Sequence, residues 1–314
     1  MQVIRDGGDP GAAVGPSAVT IGAYDGVHRG HVAVLRLVRE LAHARGLAAT
    51  VVTFDRHPAE IARPESAPAL LTTLDQRLEL LAATGLVDTC CVLTFDDSRR
   101  TETAEAFVHE VLVERLATRL VVVGADFHFG FRRAGNVALL EHMGADLNFE
   151  VVGLGLVAPV GESLPFSSTR IRERIRAGDV AEAARLLDRN YSLRGTVERG
   201  DARGRVLGFP TANVAVPARM CLPADGIYAG TLRDGSGVVR TAAISLGRRP
   251  TFYVDAELSL LEAFVLDFDG DLYDQSVEVE FVQRLRGQER FDSVEALVTQ
   301  ITRDVEVTRR VIDG

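Results

Sequence analysis

The stretch AYDGVHRGH, residues 23–31, follows the apolar run Val19-Thr20-Ile21 and precedes a helical-looking segment, VAVLRLVREL. Two histidines, two glycines and an aspartate at a strand-to-helix junction suit the phosphates of a nucleotide. Gly26 and Gly30 let the backbone turn tightly and approach a ligand, and Gly22, Tyr24 and Asp25 belong to the same expected ATP-binding set. Amides opening the next helix favour an anion there by roughly 0.3–1 kcal/mol. His28 and His31 add donors that strengthen as charge builds on a pentavalent phosphorus. Zinc is the competing use of two histidines, but it needs three or four ligands and no cysteine is near.

Three further clusters end strand-like runs in the same half: TFDRHP at 53–58, GADFHFG at 124–130 and PFSSTRIR at 165–172. His57 and Pro58 are placed at an acceptor pocket, and Asp126 with Phe127 near a ribose or a ring. Ser167, Ser168, Thr169 and Arg170 offer hydroxyls and a guanidinium to the β- and γ-phosphates. Read alone, Ser and Thr at a helix start are caps. Arg172, Arg174 and Arg176 read as a solvated face.

The second half carries GDARGRVLGFPTANV at 200–214. Gly204 and Gly208 shape a phosphate-sized loop, and Thr211 and Asn213, two apart in an extended segment, share a face. A hydroxyl and an amide oxygen side by side are hard, neutral ligands for a Mg²⁺ that already carries nucleotide phosphates.

All 35 basic residues of the 314 are arginine. That excludes a Walker A loop, a protein-kinase strand lysine and a Schiff base together, because each needs an ammonium group. A net charge of −9 argues against a nucleic-acid partner. The apolar run at 151–160 is too short to span a bilayer and no apolar leader opens the chain, so a cytoplasmic protein without membrane attachment is expected. Three cysteines give neither a zinc spacing nor a disulfide framework.

These residues need elements to hold them. Apolar strand-length runs at 18–22, 48–54, 90–95, 119–123 and 149–157 alternate with helical spacing at 31–45 and 103–116, which predicts a Rossmann-like parallel sheet covered by helices. Ligands of such a sheet sit beyond the carboxyl ends of its strands, where all four clusters fall. Two short helices, 169–177 and 180–188, close this half. From Tyr191 on, short alternating strands at 191–198, 226–232, 238–245, 260–267 and 276–282 predict an antiparallel β-barrel or sandwich, with a terminal helix at 293–311. Domains of 1–187 and 188–314 follow.

The H-x-G-H of residues 28–31 resembles the phosphate-binding signature of nucleotidylyltransferases. With FSSTRIR, RGRVLGFPTAN, DGIYAG, LLEAFVLDFDGDLYD and LRGQERF in order, the chain resembles the bacterial bifunctional riboflavin kinase/FAD synthetase family. The resemblance implies a nucleotidylyltransferase domain that adenylylates FMN to FAD with release of pyrophosphate. It implies a barrel kinase domain that turns riboflavin and ATP into FMN and ADP with Mg²⁺. Family pattern matches the kinase base to Glu262 and places Arg286 near the flavin or the nucleotide; by spacing alone Glu257, Glu278 and Glu280 stand equal with Glu262. Small molecules are then the partners, flavin-requiring apoproteins the acceptors of product, and a homo-oligomer is compatible with the sequence without being specified by it. The chain departs from the family at Arg56, at Ala125, and at Arg248 and Arg249, where Thr-Asn is common.

Overall fold

The computed structural model describes residues 1–6, 15–155, 165–200, 204, 207–248 and 259–314. The chain divides into two compact units, Met1–Ser168 and Thr169–Gly314.

The first unit is built on a parallel sheet of β1 (Gln2–Arg5), β2 (Ser17–Ile21), β3 (Ala48–Phe54), β4 (Thr89–Leu93), β5 (Thr118–Gly124) and β8 (Glu150–Leu154), in the order β1-β4-β3-β2-β5-β8. A two-stranded ribbon, β6 (His128–Phe129) with β7 (Gly135–Asn136), stands apart from it. β2 and β4 are buried at every position. An interior parallel strand has both faces covered, which is why these runs do not alternate buried with exposed residues. Val19 and Ile21 enter one core cluster and Ala18 another, so successive side chains feed opposite faces. Truncating a fully buried member such as Leu120 to alanine costs about 2–5 kcal/mol.

Helices α1 (Arg29–Arg45), α2 (Ala59–Ala62), α3 (Leu74–Ala83), α4 (Asp97–Thr101), α5 (Ala104–Phe107) and α6 (Val137–Leu147) accompany the sheet. α1 buries Leu35, Val38 and Ala42 at helical spacing and ends on Gly46 in the left-handed region (φ 64°). The helix expected at 103–116 is α5 continued as a π-helical segment, Val108–Arg115. The strand order reverses between β2 and β5. That switch point, flanked by the turns after β2 and β5, is where an open α/β sheet binds ligands. The sequence pattern missed β1, a short, exposed edge strand with only Val3 and Ile4 apolar.

The second unit holds α7 (Ser168–Arg176) from its second residue, α8 (Val180–Leu187), a closed antiparallel barrel and α9 (Val294–Asp313). The strands are β9 (Tyr191–Glu198), β10 (Thr211–Ala215), β11 (Gly226–Arg233), β12 (Val239–Arg248), β13 (Ser259–Val265) and β14 (Ser276–Arg286). They close in the order β10-β13-β12-β11-β14-β9. Inward residues such as Leu193, Tyr228, Ile244, Leu261 and Phe281 are fully buried and fill the interior. At the irregularity between Ala229 and Gly230 an added Cβ would overlap the Glu280 carbonyl, so only glycine fits there.

The expected junction after residue 187 and the division at Ser168/Thr169 differ by α7 and α8. Both helices lie with the barrel: α8 packs on β9 and β14, and the Ala224 N–H donates to Ile175 O at 3.3 Å. Arg172, read as part of a solvated face, is 6% exposed and buried on that side of α7, while Arg174 is half exposed.

Candidate active sites

In the first unit the turn after β2 runs straight into α1. His28 is the N-cap (φ −80°, ψ 171°), and its Nδ1 accepts the His31 N–H while His31 Nδ1 accepts the His28 N–H, both at 3.3 Å. The rings stack with centroids 3.6 Å apart. No acidic residue lies in the first turn of α1, which leaves its positive end uncompensated. Gly30 has no room for a side chain: an added Cβ would come within 2.9 Å of Phe166 Cβ and 3.1 Å of the His28 ring. The turn is strained, with Tyr24 at φ 50°, Gly26 at φ 84° and Val27 at φ 38°. Non-glycine residues in that region cost about 1–3 kcal/mol each.

The other members of the expected ATP set take different places. Tyr24 is buried beneath the turn, its ring 4.9 Å from His31 and its hydroxyl 2.8 Å from Thr20 Oγ1. Burial pushes that phenol well above its ordinary range, outweighing the Thr20 hydrogen bond. Asp25 is 2% exposed and its carboxylate accepts the N–H groups of Leu71 and Thr72 and the Thr72 hydroxyl at 2.9–3.0 Å. Ser168 Oγ donates to the Asp25 carbonyl at 2.9 Å, and an added Cβ at Gly22 would meet the Tyr24 ring at 3.2 Å. Ser167 is half-buried just before α7. Thr169 and Arg170 fall in the second unit, where Thr169 is exposed and Arg170 pairs with Glu182 at 3.0 Å.

Beside Ile21, at the carboxyl end of β2, a cavity of about 600 Å³ opens between aromatic walls (Phe54, Phe95, Phe127, Phe129) and a rim of arginines that includes Arg63, Arg99 and Arg132. His57 and Pro58 line it; Asp126 does not and is exposed. The His57 N–H donates to Glu60 Oε1 at 2.9 Å and its Nδ1 accepts the Ala59 N–H at 3.1 Å, which closes the turn into α2. Sequence reading missed the arginine rim and Glu102, which pairs with Arg99 at 2.7 Å.

In the second unit, register brings the kinase candidates together. Asn213 on β10 pairs with Glu262 on β13, and Glu262 pairs with Ser245 on β12. These three and Thr211 line a cavity of about 910 Å³ that Phe264, Leu297 and Ile301 make largely apolar. Asn213 Oδ1 is buried and has no hydrogen-bond partner among the described residues. A polar oxygen left so in a barrel costs about 1–3 kcal/mol unless a ligand takes it. Thr211 also lines a second cavity of about 610 Å³, beside Arg199, Asp271 and Tyr273. Gly204 accepts the N–H groups of Leu207 and Phe209, and Gly208 sits at φ 85°; residues 201–203 and 205–206 of this loop lie outside the described residues.

The other glutamates are elsewhere. Glu278 accepts from Ser192 and Arg194, Glu280 from Asn190, and neither lines the cavity. Glu257, Arg249 and the side chain of Arg248 lie outside the described residues. Arg286 lines the cavity wall and forks onto Asp304 of α9 at 2.7–3.1 Å, with Gln300 completing the carboxylate at 2.9 Å.

Comparison with known proteins follows this division. A family model described as FAD synthetase matches residues 12–170, and one described as riboflavin kinase matches 187–312. The chain is 40% identical to the bifunctional riboflavin kinase/FMN adenylyltransferase of Pseudomonas fluorescens over 92% of its own length and 91% of the relative's. The chain belongs to this bifunctional riboflavin kinase/FMN adenylyltransferase family. The Escherichia coli K12 member is 35% identical, with 94% of this chain and 92% of that one covered. A solved Streptococcus pneumoniae structure titled a macrolide-efflux protein superposes with a TM-score of 0.86 at 31% identity, covering 98% of this chain and 99% of that one. Among the described residues no helix is long and apolar enough to cross a membrane. The FAD synthetase domain is the N-terminal one and the riboflavin kinase domain the C-terminal one. Substrates of the two activities are riboflavin, FMN and ATP, and their products include FMN and FAD.

Proposed function

We propose that the two reactions run on separate side-chain sets: His28 and His31 serve adenylyl transfer, and Glu262, Thr211 and Asn213 serve phosphorylation. The observation that carries the reading is the register of β10 and β13, which sets Glu262 beside Asn213 on the wall of the larger barrel cavity.

For FMN formation the nucleophile is the riboflavin 5′-hydroxyl, an unactivated alcohol that needs a proton acceptor. Glu262 takes that proton as the hydroxyl oxygen bonds to the γ-phosphorus of ATP and the bond to the β,γ-bridging oxygen breaks, releasing ADP. The apolar cavity next to Glu262 suits the flavin ring, and the hollow beside Tyr273 suits the nucleotide, with Thr211 lining both. The Thr211 hydroxyl and the orphaned Asn213 Oδ1 fit Mg²⁺ and would hold it. When bound, the ion supplies neutralisation of phosphate charge. Arg286, tied to Asp304, shapes the flavin wall.

For FAD formation no base is required, because the FMN phosphate, with a second pKa of about 6, is already largely ionised. An FMN phosphate oxygen attacks the α-phosphorus of ATP and pyrophosphate leaves. The amides of α1 and the Nε2–H groups of His28 and His31 stabilise the developing charge, with Gly22, Gly26 and Gly30 allowing close approach. The aromatic cavity lined by His57, Pro58 and Phe127 takes the FMN ring. The hydroxyls of Ser167 and Ser168 serve the outer phosphates. Three free thiols suit a reducing cytoplasm, where flavin-requiring apoproteins accept the product.

The test is Glu262→Ala in the full chain, supplied first with riboflavin and then with FMN, each with ATP and Mg²⁺. FMN formation should be abolished while supplied FMN is still converted to FAD. Loss of both activities in a folded variant would refute the division of labour.

A further inference from the structure

We infer that Thr72 is a positioning residue for adenylyl transfer, the hydrogen-bonding hub that sets the strained turn carrying His28; the inference rests on the role given above to His28 and His31.

Tyr24 and Val27 hold left-handed backbone conformations, and Val27 is β-branched, the side-chain type least suited to them. Such geometry persists only where the surroundings over-determine it. Thr72 supplies that determination from 46 positions away. Its Oγ1 donates to Asp25 Oδ1 at 3.0 Å and accepts the Gly26 N–H at 3.1 Å, so one hydroxyl holds both residues between Tyr24 and Val27. Its own N–H, with that of Leu71, donates to the same carboxylate. The group is sealed from water, with Asp25 2% and Thr72 3% exposed.

The arrangement reassigns Asp25 as well. A carboxylate under the mouth of an anion-binding helix would repel phosphate if it faced it. Here the charge is engaged by amides, by the Thr72 hydroxyl and, electrostatically, by the buried Arg77 guanidinium. Arg77 extends the brace: its Nη1 donates to Thr53 Oγ1 and to Phe54 O, and Thr53 Oγ1 donates to Ala23 O at the start of the same turn. Asp25 therefore acts through the turn and not on ATP. Without the Thr72 hydroxyl the Gly26 N–H and one carboxylate oxygen each lose a buried partner. Relief of the strain at Val27 then moves His28, the next residue. A misplacement of about 1 Å at a charge-stabilising group costs on the order of 10²-fold in rate.

The experiment compares Thr72→Val, which keeps the shape and deletes both hydrogen bonds, with Thr72→Ser, which keeps both, and with His31→Asn, all in the full chain. FAD formation from supplied FMN gives kcat and KM, flavin fluorescence gives FMN affinity, and FMN formation from riboflavin reports on the other unit. Expected for Thr72→Val is a fall in adenylylation kcat on the order of 10²-fold, with FMN affinity and kinase rate unchanged. Thr72→Ser should restore most of the rate. An undiminished Thr72→Val beside an impaired His31→Asn overturns the role of Thr72 alone. Parallel loss of FMN affinity and rate in both Thr72 variants marks a merely structural residue and overturns it too. An undiminished His31→Asn overturns the underlying site. Should the valine variant not accumulate, Thr72→Ala is read in the same way.

Discussion

His28 and His31 cap one helix reciprocally, each Nδ1 accepting the other's backbone N–H at 3.3 Å. With Nδ1 committed as an acceptor, each ring carries its proton on Nε2, so the caps fix the tautomer and make the Nε2–H the donor. Replacing His31 by Asn removes that donor and disturbs the cap. Adenylylation should fall about 10²–10³-fold, the usual cost of one preorganised charge-stabilising contact. FMN formation by the same preparation should be unchanged. Steady-state FAD formation from FMN checks it, and a loss below about tenfold would refute the assignment.

Asn213 makes a second prediction, in which stability and activity move apart. Among the described residues its Oδ1 is buried without a partner, so the ligand-free barrel carries a desolvation cost. Asn213→Leu is close in size and removes the orphaned oxygen. The ligand-free variant should unfold at a denaturant concentration equal to or above that of the parent, by up to about 1 kcal/mol, since replacing an unsatisfied polar group by an apolar one is near neutral or stabilising. FMN formation should be lost. Clear destabilisation would mean that the oxygen has a protein partner.

The parallel sheet was legible because its inner strands are buried on both faces and so carry largely apolar runs, as Cys90–Leu93 of β4 illustrates. The strand pattern alone left barrel and sandwich open, and the family resemblance supplied the barrel, because closure depends on β10, a five-residue strand around Thr-Ala-Asn, pairing with both β9 and β13. The glutamates show the same limit. Period two says which residues share a face of one strand, but only register puts Glu262 next to Asn213 and turns Glu278 toward Ser192 and Arg194. Asp25 stands within a recognisable motif, yet its carboxylate answers to Leu71 and Thr72, a contact that no local pattern announces. Arg172 defeats sequence reading because helical spacing does not say which face of α7 meets the barrel.

The cysteines should be silent in the folded protein. Cys90 and Cys91 are neighbours on β4 and enter different core clusters on opposite faces, so they cannot join each other. Burial pushes the Cys90 thiol up to about 12 and the Cys91 thiol up to about 11. At pH 8 the reactive thiolate is then roughly 10⁻⁴ and 10⁻³ of each group. Cys221 is 1% exposed. A thiol-specific disulfide reagent should label none of the three within minutes in native buffer and all three in guanidinium. Rapid labelling of one native thiol would contradict the packing of its strand.

Acid should weaken the first unit partly through Asp88, whose carboxylate accepts Arg39 through both oxygens at 2.8 Å and the Ala49 N–H at 2.8 Å. Burial pushes its pKa up, but Arg39 and Ala49 outweigh that and hold it below the ordinary value. A carboxyl with a lowered folded pKa stabilises fully above its unfolded value, about 3.9, and loses that contribution as pH falls through the folded one. The side chain is 40% exposed, so screening limits the pair to about 0.2–1 kcal/mol. Asp88→Asn should therefore be less stable than the parent by that amount at pH 7, with the gap closing as the pH drops below about 4. Urea titrations of both proteins at pH 7 and at pH 3 measure it; a gap that widens in acid would reverse the sign and place the partner charge elsewhere.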